Sequence, residues 1–294
     1  MIMPMVAPLY PDTLATLVQV PGLFVKERVN FLEVLTGFEV ENTFDVSLWN
    51  PQAGPPDEPE MGKGAPAFTM KEVSDCCQRQ FCGHRRAFSI AMVPSTPMIG
   101  TYHPGLESRA TMFSHPDALV FNRPFSWQCC CLCRPQVFVS HNTLGRFATI
   151  SNPCKICAFH FDVHAATADD GGETPVSPTV AGENGAKWYT VSGTMCQPGA
   201  FCLCPCAPCR RIVLEVYDGK DVAMATPVGE IARVFPGCLQ SLVSQASSYT
   251  ISFPGGQHEH GLRRASLAAA VLLMNYLFAE EKKRRDNNNY NSNN

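Results

Sequence analysis

Several features that would place the chain in a familiar class are scarce or missing. Only 17% of its 294 residues are charged and the net charge is -3, so it lacks the basic excess typical of nucleic-acid binding, and we expect no nucleic-acid partner. No N-x-S/T sequon occurs, and residues 1–14 combine three prolines with no basic residue, unlike a secretory or transit peptide. We therefore expect a chain on the cytoplasmic side, where its 15 cysteines would stay mostly reduced.

Catalytic signatures are also missing. The sequence contains no P-loop, dinucleotide fingerprint, nucleophile elbow or H-E-x-x-H motif. His160, Asp162 and His164 could ligate a metal from one strand face, as could residues 258–260. A solvated strand face and a polar segment before a helix explain both groups more simply. The sequence therefore predicts a protein that is not an enzyme.

Long apolar runs are rare, and residues 265–279 (ASLAAAVLLMNYLFA) form the only one. Alanine and leucine favour a helix, and apolar residues on every face require burial on all sides. A helix of about 15 residues covers ~22 Å, short of the ~30 Å of bilayer hydrocarbon, and the asparagine in the run fits better inside protein than in lipid. We expect a helix in the protein's own core, with a membrane crossing as the alternative. The residues assigned to it include Leu267, Val271, Leu272, Asn275 and Phe278.

The rest of the chain has the pattern of short strands. In residues 157–163, Phe159, Phe161 and Val163 alternate with polar or small residues, as in a strand with one buried face. About a dozen such segments without an amphipathic helix between them indicate a closed antiparallel barrel, which at this size needs the helix to fill it. We predict an all-β fold with one central helix. The candidate strands are residues 31–40, 43–49, 68–73, 86–93, 135–141, 144–150, 157–163, 187–195, 211–218, 223–228, 230–235 and 249–253.

The domain organisation follows from composition. Residues 50–66 and 165–186 are rich in glycine, proline and polar residues and are predicted to be loop excursions. We expect one barrel domain over residues 28–281, with its first strand starting near Asn30. A short extended segment, residues 1–27, would precede it, and a polar disordered tail, residues 282–294, would follow.

The cysteines are clustered, and three explanations remain open. Two C-x-x-C pairs could bind one Zn²⁺, whereas Cys154, Cys157 and Cys196 could instead be small buried hydrophobes. These pairs are Cys154 with Cys157 and Cys206 with Cys209. Adjacent thiols on an extended segment point to opposite sides and cannot all share one ion, so S-acylation (palmitoylation) better explains the longest run. That run contains Cys129, Cys130, Cys131 and Cys133.

Four phrases of the sequence resemble the phospholipid scramblase family. They are LEVLTGFEVENTFDV (32–46), DCCQRQFCGHRRAFSI (75–90), RPFSWQCCCLC (123–133) and ISFPGG with the apolar run (251–279). They occur in family order between residues 20 and 281. The resemblance implies a tubby-like fold, a twelve-stranded barrel around a hydrophobic C-terminal helix, which agrees with the barrel inferred from the strand pattern.

The resemblance also implies ATP-independent, calcium-triggered movement of phospholipids between leaflets, with palmitate on the cysteine run. The family's calcium segment places carboxylates at the first, third and last of twelve positions, where this chain has Gln245, Ser247 and Gly256. Because Ca²⁺ prefers several charged oxygen ligands, the sequence predicts very weak binding by these side chains.

Two function classes follow from the resemblance. The first is a scramblase-like protein that acts on membrane phospholipids, anchored at the cytoplasmic face, with the plasma membrane favoured and a soluble pool when it is not acylated. The second is a tubby-like adaptor that binds lipid headgroups or proteins and transports nothing. A helix used as barrel core favours the adaptor, since it cannot also cross a bilayer unless the barrel opens.

Overall fold

Twelve antiparallel strands close into a barrel in the computed structural model, in which each strand pairs with its neighbour along the chain and β1 pairs with β12. The prediction of a twelve-stranded barrel with a C-terminal helix is confirmed. The structure describes residues 13–28, 41–53, 66–78, 86–95, 109–125, 135–153, 155, 158–167, 185–201, 204, 206, 209–219, 226–235, 247–255 and 260–292, with side chains up to residue 276.

Short helices and turns connect the strands. The helices are α1 (Thr13–Gln19), α2 (Arg109–Phe113), α3 (Pro198–Phe201) and α4 (Gly261–Ser292), and a 3₁₀ turn occupies Pro51–Ala53. The strands are β1 (Gly22–Glu27), β2 (Thr43–Trp49), β3 (Phe68–Val73), β4 (Phe88–Pro94), β5 (Leu119–Arg123), β6 (Gln136–His141), β7 (Gly145–Ser151), β8 (Ala158–Ala165), β9 (Lys187–Thr194), β10 (Arg211–Asp218), β11 (Gly229–Val234) and β12 (Ser248–Ser252).

Alternation along the strands builds the core. In β3, for example, every second residue is buried, so Phe68 and Met70 point inward while Thr69 and Lys71 are partly exposed. The inward residues of the sheet pack around α4, whose side chains from Ala265 to Tyr276 are at most 7% exposed. The helix therefore fills the space that a twelve-stranded sheet leaves at its centre.

The N-terminal helix α1 closes one end of this barrel. At its start, the Thr13 backbone N–H donates to Asp117 Oδ2 at 2.6 Å. At its end, the buried guanidinium of Arg264 donates to the carbonyls of Leu17, Val18 and Val20 at 2.7–2.9 Å. These bonds satisfy helix-terminal groups that have no partner within the helix, and they hold α1 firmly against α4.

Several boundaries differ from the sequence expectation. The first strand is Gly22–Glu27, preceded by a helix, within the segment expected to be an extension. β5 was not predicted, and residues 226–228 of the candidate strand 223–228 are not strand. The backbone of α4 stays helical to Ser292, although residues 282–294 were expected to be a disordered tail. The candidate strand 31–40 lies outside the described residues, as do most of the two predicted loop excursions.

Candidate functional site

The two ends of the barrel have different chemistry. In an up-and-down barrel, odd-numbered strands end at one mouth and even-numbered strands end at the other. We call the mouth at which β1, β3, β5, β7, β9 and β11 end the cysteine mouth, and the opposite mouth, covered by α1, the capped mouth. The helix α4 follows β12, so it enters at the capped mouth and leaves at the cysteine mouth.

The distribution of cysteines gives the cysteine mouth its name. All 15 cysteines fall in five of the six chain segments that join strands at this mouth, namely β3–β4, β5–β6, β7–β8, β9–β10 and β11–β12. The connections at the capped mouth contain none. Clusters that are far apart in the sequence therefore belong to neighbouring connections of one barrel end.

The cysteines predicted to be acylated, Cys129, Cys130, Cys131 and Cys133, lie outside the described residues. The connection that contains them starts after Phe125 and returns to the sheet at Pro135, and both residues are at the cysteine mouth. Among the described cysteines of this mouth, Cys76, Cys77, Cys196 and Cys206 are exposed, so the alternative of a buried thiol is wrong for Cys196.

The proposed Zn²⁺ pairs are only partly described. Cys206 and Cys209 form a turn in which the Cys209 N–H donates to the Cys206 carbonyl at 2.9 Å. Their suggested partners, Cys154 and Cys157, lie outside the described residues. Within the described ranges, no three histidine, cysteine, aspartate or glutamate side chains converge as metal ligands.

Three charged side chains point into the barrel where α4 leaves it. Glu72 is fully buried, and Arg86 Nη2 donates both to its carboxylate and to the hydroxyl of Tyr276, each at 3.0 Å. The Tyr276 ring stacks on Phe88 with centroids 4.2 Å apart, and the Arg123 guanidinium lies 5.3 Å from the same ring. Burial, followed by the nearby Glu72 carboxylate, raises the pKa of Tyr276 well above its ordinary value, so the phenol stays neutral. This cluster fixes the end of the buried helix.

This buried ionic cluster was missed by the sequence reasoning. Strand alternation contained a signal for it, because Glu72 occupies the same face of β3 as Phe68 and Met70. Arg123 likewise follows Leu119 and Phe121 on the inward face of β5. The identity of the partner could not be read from the pattern, since Tyr276 comes from the far end of the chain.

The described residues that the sequence assigned to the helix are buried, as expected for a core helix. Leu267, Val271 and Leu272 are at most 1% exposed. Asn275 accepts a 2.7 Å hydrogen bond at its side-chain oxygen from the hydroxyl of Tyr249 on β12, a protein partner for its amide. Phe278 is in the helix, but its side chain is outside the described part. Among described residues, no helix combines the length and hydropathy needed to cross a bilayer.

The segment equivalent to the family's calcium loop is largely a barrel strand. β12 occupies its centre, so Ser247 lies at the cysteine mouth and Gly255 at the capped mouth. Ser247 is buried, its hydroxyl accepts from Arg233 Nη2 at 3.1 Å, and its N–H donates to Glu27. Gln245 and Gly256 are outside the described residues.

The outer face of β8 contains a separate polar cluster. Asp162 Oδ1 lies 2.6 Å from Lys187 Nζ and 3.3 Å from His160 Nε2. Burial alone would raise the pKa of Asp162, but the hydrogen bonds from His160 and Lys187 outweigh it and hold the pKa well below its ordinary value. His164, on the same face, contacts the Gly185 carbonyl instead. The arrangement is that of an ion-paired strand surface.

Comparisons with known proteins find similarity to phospholipid scramblases. The Scramblase family model matches residues 1–96. Phospholipid scramblase 1 of Homo sapiens is 21% identical over 251 residues, which are 83% of this chain and 59% of the relative. Phospholipid scramblase 1 of Mus musculus is 22% identical over 249 residues, 83% of this chain and 57% of the relative. Phospholipid scramblase 2 of Bos taurus is 22% identical over 251 residues, 83% of this chain and 64% of the relative.

The chain thus spans about three fifths of the length of these curated relatives. No solved structure matches it. The resemblance indicated by the four sequence phrases is confirmed by the family model and by the relatives, which align with most of this chain. The chain is thus similar to the scramblase family model over residues 1–96 and to phospholipid scramblases over 83% of its length.

Proposed function

We propose that the chain is a phospholipid scramblase-like protein that moves membrane phospholipids between leaflets in both directions without ATP. The observation that most supports this is a closed barrel around a buried C-terminal helix, in a chain whose relatives are named phospholipid scramblases. No nucleotide-binding motif supplies a site for ATP in the sequence.

Membrane attachment in this proposal depends on S-acylation of Cys129, Cys130, Cys131 and Cys133. Each thiolate attacks the carbonyl carbon of an acyl-CoA, a thioester forms, and the CoA thiol leaves. Two or more acyl chains turn marginal membrane binding into stable anchoring, so a run of four thiols is sufficient. In this proposal the anchored protein lies at the cytoplasmic face of the plasma membrane, and non-acylated protein forms a soluble pool.

The adaptor function is the second candidate. It is favoured by the hydrogen bonds that hold both ends of α4 in the barrel. Arg264 fixes the start of α4 to α1, while Tyr276 and Asn275 fix its exit to Arg86 and Tyr249. A barrel that keeps its helix can bind headgroups or proteins at the membrane surface without providing a path for lipid.

A dithionite assay distinguishes the two functions. The full chain is purified in acylated form and reconstituted into vesicles that contain a fluorescent phospholipid in both leaflets, without ATP and with or without calcium. Scrambling exposes inner-leaflet label to dithionite, so the fluorescence falls below the level of protein-free vesicles. A parallel sample with an encapsulated soluble dye controls for leakage. Vesicles that bind the protein but keep their inner-leaflet label would identify an adaptor.

A further inference from the structure

The exposed apolar side chains differ between the two mouths. At the cysteine mouth, Phe201 at the end of α3 is 68% exposed and Phe125, just after β5, is 43% exposed. The other large apolar residues exposed in the described ranges are aliphatic and lie at or near the capped mouth. They are Val18 on α1, Leu48 near the end of β2 and Val228 just before β11. Exposed aromatic rings are thus concentrated where the cysteines are.

Basic residues are a second feature of the cysteine mouth. The helix α4 leaves through the cysteine mouth, where Glu280 and Glu281 are followed by four basic residues, Lys-Lys-Arg-Arg at 282–285, and then by Asp286. At ~1.5 Å per residue, the first of these basic residues follows Tyr276 by ~9 Å along the helix axis. The described Lys155, in the β7–β8 connection, is also exposed at this mouth. Basic residues attract the anionic lipids of a cytoplasmic leaflet.

The capped mouth offers no comparable surface in the described part of the chain. Its helix α1 is held by Asp117 and Arg264, and Leu17 turns inward to the core. The helix start is packed so closely that a Cβ on Gly261 would come within 2.6 Å of the Leu14 carbonyl. In the described part of this end, α1 therefore packs tightly over the start of α4.

We infer that the cysteine mouth is the face by which the barrel lies on an anionic bilayer, with the rings of Phe125 and Phe201 entering the lipid. The inference rests on the membrane association in the proposed function and names the surface that makes it. It places the exposed thiols of Cys76, Cys77, Cys196 and Cys206 against the bilayer, and α1 towards the cytoplasm.

Thiol labelling tests the orientation directly, because every cysteine of the chain belongs to this mouth. The acylated full chain is treated with a bulky, membrane-impermeant maleimide, free or bound to phosphatidylcholine–phosphatidylserine vesicles, and the modified residues are found by mass spectrometry. We expect labelling of Cys76, Cys77, Cys196 and Cys206 to fall on the vesicles. Equal labelling of free and vesicle-bound protein would overturn the inference, and so would a failure of the acylated chain to bind.

A matched pair of substitutions tests the aromatic contact. Phe201→Glu and Val18→Glu each place a carboxylate at an exposed apolar position, but at opposite mouths. Phe201→Glu removes an aromatic ring that would be buried in the lipid, so its vesicle partition coefficient should be about tenfold lower than that of the wild type. Val18→Glu should bind as the wild type does, and thermal unfolding checks that both variants are folded. Equal binding by the two variants would contradict the proposed face.

The two proposals can fail separately. If the wild type does not scramble but Phe201→Glu still binds vesicles less tightly than Val18→Glu, the scramblase proposal is wrong and the membrane face stands. If the wild type scrambles and the two variants bind alike, the activity stands and the face is wrong. Phe125→Glu, on another connection of the same mouth, repeats the test independently of Phe201.

Discussion

Single residues decide how firmly the helix is held, and Arg86 is the clearest case. Its guanidinium is buried against the Glu72 carboxylate and the Tyr276 hydroxyl. Arg86→Met would leave a carboxylate in the barrel interior without its cation, which should lower the free energy of unfolding by about 3–5 kcal/mol. Urea unfolding followed by circular dichroism measures the change.

Arg28→Met is the control for that substitution. The Arg28–Asp45 pair also has a 2.8 Å contact, but the two side chains are 40% and 31% exposed, so its loss should cost less than about 1 kcal/mol. Similar losses in both variants would mean that burial does not set the strength of the Arg86 interaction.

A second residue-level prediction concerns alkaline pH. Burial raises the pKa of Tyr249 to about 12, from an ordinary value of 10.0. Between these values the unfolded phenol loses its proton while the folded one keeps it, so the folded state binds more protons and stability falls as pH rises. The slope approaches ~1.4 kcal/mol per pH unit.

Unfolding free energies measured from pH 9 to 12 test this expectation, with Tyr249→Phe as the comparison. Phenylalanine cannot ionise, so the variant starts less stable, having lost the bond to Asn275, but declines less steeply above pH 10. Parallel curves for the two proteins would show that Tyr249 does not contribute to the alkaline loss.

Among the elements, α4 contributes most to the core. Leu272 is fully buried at the centre of the barrel, whereas Leu48 on β2 is 51% exposed. Leu272→Ala should destabilise the protein by ~2–5 kcal/mol in detergent-free buffer, because it removes buried methyl groups and leaves a cavity. Leu48→Ala should change stability by less than about 0.5 kcal/mol. An unchanged melting temperature for Leu272→Ala would be incompatible with a core helix.

At the level of the segment 245–256, we predict that calcium binds only weakly. This segment has no carboxylate, and β12 within it is five residues long, ~17 Å at ~3.3 Å each. Ser247 and Phe253, on either side of β12, are therefore too far apart for both to reach one ion. We therefore expect a dissociation constant that is millimolar at best. Isothermal titration calorimetry is the measurement, with Ser247→Ala expected to behave as the wild type. A low-micromolar constant that is lost on changing residues 245–256 would refute the prediction.

The sequence predicted those elements whose signal is local. The bounds of β2, β3 and β10 were predicted correctly, because alternating burial is visible in their residues. β1 was missed because its first four residues are all buried, so alternation is lost in this strand. β5 has only five residues, too few for a clear period. The helix α1 is seven residues long and depends on Asp117 and Arg264 for its end groups, which no local pattern contains.

For the whole molecule, the proposed membrane-attachment site was predictable only as a cluster in the sequence. Cys129, Cys130, Cys131 and Cys133 stand out as a run, but the shared mouth of all 15 cysteines depends on the strand count between them. One additional or missing strand would put half of the clusters at the other end. The missed β5 and the additional candidate strand 223–228 therefore hid the mouth that the cysteines share, although the number of strands was right.

The corresponding prediction is that attachment needs the run itself. A variant with Cys129, Cys130, Cys131 and Cys133 all changed to serine cannot form thioesters there and should leave the membrane fraction, since the net charge of -3 offers no general electrostatic substitute. Cell fractionation and acyl-exchange labelling measure it. The control changes Cys76 and Cys77 to serine and should remain bound. Retention of the fourfold variant would show that another anchor is sufficient.

The pairing of β1 with β12 has a consequence for biosynthesis. Gly22 pairs with Ser252, so the seam joins residues 230 positions apart, and it can form only after nearly the whole chain has left the ribosome. Until then β1 has a free edge, and the inward faces of the strands lack the helix that covers them, because this helix is synthesised after all twelve strands. Such long-range closure is slow, so the nascent chain must be kept from aggregating for longer than a protein of local contacts.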